Sequence, residues 1–339
     1  MQSPSTDELR TILEQELSQH FGAPHQITRL SRRPFEYRTS FPIEELAVDL
    51  DDGKHLELIF KNLSWQALSD EVRQVKPSFL HNPLREIAVY QKLLTLFPSG
   101  AAICCGVFVD EPRQCYWLFL EKVQGRELYQ IGEFETWQTV ARWLAEFHGH
   151  FTKHDNRLMK MAPFLRYDAA YYRRWTKRAY AFANRDHTAQ QRMAKTALAW
   201  VAERYEKVIE QLVALPSAFI HGEFYSSNVL VQDETNGVRV CPVDWEMAGS
   251  GPGLLDLAAL SSGKWSDKQK IALALAYYEA QTPTRCQPIS FDEFLISLYH
   301  CRLHIAMQWL GWAPNWSPPA ENAHDWLGEA LELAEKLAL

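Results

Sequence analysis

With 339 residues, 47% of them hydrophobic and 23% charged, the chain has enough apolar material for one large two-part core or two modest ones, which excludes a disordered or fibrous protein. A net charge of −7 weighs against a nucleic-acid binder, whose electrostatic footprint is a basic excess. The six cysteines form no CxxC pair, the polar start "MQSPSTDELR" is no secretory signal, and no apolar run approaches the ~20 residues that span a bilayer; reduced thiols, a cytoplasmic protein and no membrane partner are expected.

In chain order, "TDELRTILEQELSQHFG" predicts a helix with Thr6 as N-cap, Leu9, Ile12, Leu13 and Leu17 on one face, and Gly22 as the stop. "ELAVDLDDGKHLELIFKNL" predicts a hairpin, with Leu46, Val48 and Leu50 alternating before "DDGK" and Leu56, Leu58 and Phe60 after it. "PLREIAVYQKLLTLF" predicts one helix, opened by Pro83, with Ile87, Tyr90, Leu93, Leu94 and Phe97 on one face. "GVFVD" and "CYWLFLEKV" read as two strands around the turn signal "DEPRQ". From Thr136 onward the pattern is helical through about 213, with Val140, Leu144, Phe147 and Phe151 in register. Two strand-like stretches then interrupt it, "AFIHGEFYSSNVLVQ" and "VRVCPVDWEMAGSGPG", before a Trp-rich helical remainder. This order predicts an α+β chain: a β-rich part over 1–120 and a mainly helical part over 121–339.

The interruption carries the chemistry. A hairpin between its two stretches would bring residues 223, 228, 244 and 246 to one end: three acids and one amide. Magnesium takes hard oxygen ligands of this kind together with substrate phosphates. A further carboxylate is suited to accept a hydroxyl proton. Polar loops and acid-bearing hairpins are common, so no one of these residues is diagnostic alone. The joint spacing is: His, Gly, an acid, Asn five residues after the acid, then Asp-Trp-acid.

That compound pattern resembles the aminoglycoside phosphotransferase and choline kinase superfamily, small-molecule kinases with a protein-kinase-like fold. The match is to His221, Gly222, Glu223 and Asn228, then to Asp244, Trp245 and Glu246, and to Asp256-Leu257-Ala258 downstream. The resemblance implies a bilobal fold, with a small β-rich N-lobe that binds nucleotide and a larger, mainly helical C-lobe that carries the catalytic and acceptor sites. It implies ATP or GTP as phosphoryl donor, Mg2+ as cofactor and a small-molecule hydroxyl as acceptor. On that mapping Glu223 is the catalytic acid-base group, and Asn228, Asp244 and Glu246 serve the metal. Lys61 pairs with Glu86 at the phosphates, as kinase-type sites require. The Leu120 carbonyl and the Lys122 amide in "LFLEKVQG" meet the nucleotide base, and Asp256 braces the catalytic loop from a helix start.

Two features depart from the pattern. Glu223 stands where the family carries Asp, which leaves open a nucleotide-binding protein without catalysis. No glycine-rich loop precedes Lys61, so Ser31, Thr39 and Ser40 hydroxyls, or Arg32, Arg33 and Arg38, are the candidate donors to phosphate. A protein kinase is disfavoured, since "HGE" is not His-Arg-Asp and neither Asp-Phe-Gly nor Ala-Pro-Glu occurs. His300 and His304 have metal-like i, i+4 spacing without the HExxH glutamate; they, and the histidines of "FHGHFTKH", are expected to pack. The basic stretch 153–178 reads as a solvated helix face. Trp309, Trp312 and Trp316 are expected to pack between the last helices, with an acceptor wall as the alternative.

Overall fold

The computed structural model of the protein describes residues 4–35, 41–97, 100–152, 160–183, 189–235, 237–281, 289–312 and 324–339. Its strands are β1 (Ile27–Pro34), β2 (Ile43–Leu50), β3 (His55–Asn62), β4 (Cys104–Asp110), β5 (Cys115–Glu121), β6 (Arg126–Glu127), β7 (Leu165–Arg166), β8 (Ser217–Ile220), β9 (Val229–Glu234), β10 (Gly237–Pro242) and β11 (Gly249–Pro252). Its α-helices are α1 (Thr6–Phe21), α2 (Asp70–Val75), α3 (Pro83–Ala88), α4 (Phe134–Thr152), α5 (Ala169–Ala183), α6 (Ala189–Ala214), α7 (Leu254–Leu260), α8 (Asp267–Gln281), α9 (Phe291–Trp312) and α10 (Trp326–Lys336). Contacts divide the chain into two units, Met1–Gly125 with Leu230–Glu246, and Arg126–Val229 with Met247–Leu339. The division expected after residue 120 therefore needs correction: the segment 230–246 belongs with the first unit. Arg239 of β10 explains this locally, since its guanidinium grips both oxygens of Glu121 at the end of β5 at 2.8 Å.

In the first unit, Ser5 rather than Thr6 caps α1, accepting from the Glu8 N–H at 3.2 Å. Gly22 ends the helix with φ 70, a conformation that glycine adopts without a Cβ penalty. The sheet runs β1-β2-β3-β5-β4 with antiparallel neighbours. Register pairs Leu46 with Leu58 and Val48 with Leu56, as the alternation predicts. Leu9, Leu13 and Leu17 of α1 join Leu46, Val48, Leu58, Phe60, Trp117 and Phe119 in one buried cluster. Each such side chain contributes about 1.5–3 kcal/mol by burial.

The helix expected over 83–97 is not uniform. After α3 it passes through a π-helical turn, Val89–Leu93, and a 3₁₀ turn, Leu94–Leu96. A π turn accommodates an extra residue within a helical run. Here it lets Val89, Tyr90, Leu93 and Leu94 all be buried, a wider apolar face than an unbroken α-helix offers.

The second unit packs α4, α5, α6, α7, α8, α9 and α10 with a three-stranded sheet of order β7-β11-β8. Its core is aromatic: Phe151 meets Phe219 edge to face at 5.8 Å, and Phe164 meets Phe219 at 5.2 Å. Among the described residues no helix is long and apolar enough to cross a membrane. Cys104, Cys105, Cys115, Cys241 and Cys301 are free thiols, whereas Cys286 lies outside the described residues.

His300 and His304 pack as expected. Nδ1 of His300 meets Ile296 O at 2.9 Å, and Nδ1 of His304 meets Tyr205 Oη at 2.9 Å. Burial pushes His304 down to about 3 from 6.5. On α10, burial alone would raise Glu329, but hydrogen bonds from His324 and Arg302 and the Arg302 charge hold it at about 2 against an ordinary 4.5. Both groups bind fewer protons folded than unfolded, so their contribution is complete above pH 6.5 and is lost on acidification. We expect the thermal midpoint to fall from pH 6.5 towards 3, steepening below 4.5. Glu329→Gln should remove the steeper part in melts at stepped pH.

Candidate functional site

Lys61, near the end of β3, stands opposite Ile43 of β2 and Leu118 of β5, so the sheet fixes its backbone on both sides. Its side chain is buried, with Nζ 2.6 Å from Glu86 Oε1 and 2.8 Å from Asp244 Oδ1. Burial by itself would depress the ammonium pKa, yet the Asp244 and Glu86 carboxylates outweigh it and hold the group charged, above 10.5. Glu86 is raised to about 7: burial and the like charge of Asp244 prevail over the pull of Lys61. Its second oxygen, Oε2, is buried and accepts no hydrogen bond. One ammonium thus serves two carboxylates.

Asp244 follows β10 by two residues and has φ 66. Left-handed backbone is uncommon outside glycine, although Asp and Asn tolerate it best, and held strain of this kind clusters at functional positions. Trp245 next to it is fully buried and donates from Nε1 to Pro242 O at 3.1 Å, which anchors the turn. Glu246, expected to serve the metal, has Oε2 hydrogen-bonded to the ammonium of Lys76. Lys76 is buried and stands 4.5 Å over the Phe41 ring. Arg85 donates to Leu80 O at 2.8 Å and also to Glu246 O, tying the start of α3 to the Asp244 turn. Lys76 and Arg85 escaped the sequence reading. "QVKPS" carries neither a period nor a motif, and Arg85 looks like any first-turn helix residue. Lys76→Met should cost about 3 kcal/mol in chemical denaturation, because it leaves the half-buried Glu246 carboxylate without its cation; Lys76→Met,Glu246→Gln should recover most of that.

In the second unit the loop after β8 carries His221, Gly222 and Glu223. Gly222 has φ 85, and a Cβ there would stand 2.1 Å from Tyr167 Oη and 2.5 Å from Met247 O, so only glycine fits. Asp256, in the first turn of α7, accepts from His221 N at 2.7 Å and from Gly222 N at 2.8 Å. Its Oδ2 also meets His148 Nε2 at 3.1 Å, and His148 Nδ1 meets Tyr277 Oη at 2.8 Å. The brace implied by the resemblance is therefore longer than expected, reaching from α7 into α4 and α8. His148 packs as expected of the histidines in "FHGHFTKH", and its two ring nitrogens also join Asp256 to Tyr277.

Glu223 is half-buried. Asn228 donates from Nδ2 to Glu223 O at 3.0 Å, which points its other branch, Oδ1, elsewhere. Tyr225 is half-buried; desolvation first, and then the Glu223 carboxylate, push its phenol well above 10. The structure thus joins Lys61, Glu86 and Asp244 in one unit, and Glu223 and Asn228 in the other.

Leu120 and Lys122 stand differently from expectation. Leu120 is paired within β5, opposite Ile59 and Cys104. The Lys122 amide donates to Glu57 O at 3.0 Å, extending the β3–β5 ladder by one residue, and its Nζ meets Glu45 Oε1 at 3.1 Å. Among the candidate phosphate donors, Ser31 lies in β1, Arg32 forks onto Glu44 at 2.7 and 2.9 Å, and Arg33 pairs with Glu45. Arg38, Thr39 and Ser40 lie outside the described residues, as do Trp316 and the last histidine of "FHGHFTKH". Trp309 stacks on Trp326 at 5.3 Å and meets Tyr225 edge to face at 5.5 Å, while Trp312 packs on Trp175. Within the basic stretch, Arg173 pairs with Glu206 of α6, and Arg178 donates to Gly311 O and Trp312 O.

Residues 72–289 match the phosphotransferase enzyme family. The chain belongs to that family. Solved structures agree on the fold. An ethanolamine kinase of Plasmodium vivax superposes with a TM-score of 0.55 at 12% identity, covering 91% of this chain and 82% of that one. A GDP complex of an aminoglycoside 2'-phosphotransferase-IIIa variant gives 0.59 at 13% identity, covering 98% and 97%. A microcompartment-associated aminopropanol kinase gives 0.58 at 17% identity, covering 91% and 90%. No relative is found among curated proteins. The chain has the α+β, protein-kinase-like architecture that the motifs predict, with a five-stranded antiparallel sheet in one unit and mostly helix in the other.

Proposed function

We propose that the protein transfers the γ-phosphoryl group of ATP or GTP to a hydroxyl of a small molecule. The observation that carries this reading is the buried Lys61 held between Glu86 and Asp244. A strand lysine fixed by a helix glutamate is the part of a kinase site that neutralises phosphate charge. The first unit then takes the nucleotide and the second the acceptor. Solved neighbours are named as kinases of ethanolamine and of aminopropanol, both hydroxyl-bearing small molecules, which supports such an acceptor.

Each unit offers a hard oxygen of the kind Mg2+ takes: the first the Asp244 carboxylate, the second the Asn228 side-chain oxygen, since the Nδ2 bond to Glu223 O leaves Oδ1 as the ligand atom. When bound, the ion neutralises charge on the phosphates. Glu246, held by Lys76, supports the turn that presents Asp244. With the Lys122 amide committed to Glu57, contact with the base passes to the backbone after β5, at Val123–Gly125. Glu223 orients the acceptor hydroxyl and accepts its proton as the phosphoryl group leaves the nucleotide. The transition state is loose, so positioning and charge stabilisation do most of the catalysis.

A panel of hydroxyl compounds, scored by ADP or GDP release, tests the proposal. Glu223→Gln should lower kcat on the accepted compound by about 100-fold or more, with nucleotide KM nearly unchanged. Glu223→Asp should also lower it, because an error of ~1 Å in reach costs ~100-fold. Full activity in Glu223→Gln removes that residue from the chemistry. A Tm raised by Mg2+-nucleotide, with no acceptor turned over, favours a binder without catalysis.

A further inference from the structure

The connection between α1 and β1 and the turn between β2 and β3 bring His25, Asp51 and Asp52 together, with ligand-capable atoms all within 4.8 Å of one another. The two segments are fastened by Asp51 N–H donating to Gln26 O at 3.0 Å. Ser18 fixes His25 from both sides: its Oγ accepts from His25 N at 2.9 Å and donates to His25 O at 3.3 Å. Phe21 meets the His25 ring edge to face at 5.3 Å. The imidazole is thus a rigid, preset group with a side chain only 8% exposed.

Its Nδ1 is buried and makes no hydrogen bond. The nearest acids are Asp51 Oδ1 at 3.4 Å and Asp52 Oδ2 at 3.8 Å. A direct hydrogen bond would draw such a pair to about 2.7–3.2 Å. Two ligands sharing one tetrahedral ion, with bonds of 2.0–2.1 Å, stand about 3.3 Å apart. The Asp51 spacing is that of a co-ligand, and Asp52 stands slightly wider, drawn off by Lys54.

We infer that His25, Asp51 and Asp52 form a binding site for a divalent first-row transition ion of the zinc type, completed by water. One imidazole with two carboxylates suits zinc, cobalt or nickel better than magnesium or calcium, which take oxygen alone. Lys54 is the counterweight. Its ammonium lies 2.6 Å from Asp52 Oδ2 and 4.7 Å over the Phe21 ring, on a half-exposed side chain. It competes with the ion for that oxygen and swings into solvent when the ion binds.

The test is titration of the full-length protein with Zn2+ and with Co2+, nucleotide absent. Wild type should bind one equivalent more than His25→Ala and Asp51→Asn, with the visible absorption of tetrahedral Co2+ lost in both. Zn2+ should raise the Tm of wild type by more than that of either variant. Lys54→Ala should bind about 30-fold more tightly, as removal of a unit charge near 4 Å from a divalent ion predicts. Asp51 is largely solvated, so Asp51→Asn keeps the fold if His25→Ala does not. Ions held at Asp244 are common to all four proteins and cancel. Equal stoichiometry and affinity in wild type and Asp51→Asn would overturn the assignment.

Discussion

Asp244→Asn should cut phosphoryl transfer by about 1000-fold, the scale on which loss of one charge-stabilising group acts at such sites. Asn is the informative replacement because it tolerates the φ of 66 that residue 244 adopts, so the turn survives. The carboxylate alone is lost. Stability should move the other way. Lys61 serves two carboxylates, Glu86 buried and Asp244 half-buried, and burial and Asp244 raise Glu86 to about 7. Removing the Asp244 charge leaves a balanced Lys61–Glu86 pair. The Tm of Asp244→Asn should therefore equal or exceed that of wild type, as expected where an active site stores unfavourable charge. Wild-type turnover in this variant, or a substantial loss of Tm, would contradict the roles assigned to Lys61, Glu86 and Asp244.

Asp256→Ala should be the most destabilising single change at the site, at about 4–5 kcal/mol. The carboxylate is fully buried and accepts from two backbone N–H groups and the His148 ring. Each buried donor left without an acceptor costs about 1–3 kcal/mol. Asp256→Asn retains one acceptor oxygen and should lose about half as much. Chemical denaturation separates the two variants. The loop that carries Glu223 hangs on the His221 and Gly222 amides, so kcat should fall in both. Nucleotide binding through Lys61 should persist in whatever fraction stays folded. An Asp256→Ala protein as stable as wild type would show that the loop is held by other bonds.

What the sequence disclosed, and what it hid, follows from the range of the interactions involved. The resemblance singled out Lys61 and Glu86, and the structure pairs them, one on an alternating strand and the other in the first turn of a helix. Asp244 and Asn228 were legible from fixed short spacings. The α1 cap is Ser5 and not Thr6 as expected, and the capping-box spacing of Ser5 and Glu8 is the local signal for it. Lys76 and Arg85 were not legible, because their partner Glu246 lies 170 and 161 residues away and no local pattern marks either. The Lys122 amide was misjudged for a similar reason: whether a ladder runs one residue further depends on Glu57 of β3, not on "LFLEKVQG" itself. The placement of 230–246 in the first unit follows from long-range bonds that no local pattern marks: Arg239 to Glu121, Lys61 to Asp244, and Lys76 and Arg85 to Glu246.

The π-helical turn at Val89–Leu93 bears on length variation among relatives. It amounts to one residue inserted into an α-helix, so a homologue lacking that residue would carry an unbroken helix in its place. Pro83–Ala88, with Glu86, lies wholly upstream and keeps its phase either way. A single-residue deletion within 89–93 would therefore restore α-helical phase without moving Glu86, and would narrow the buried face that Val89, Tyr90, Leu93 and Leu94 share.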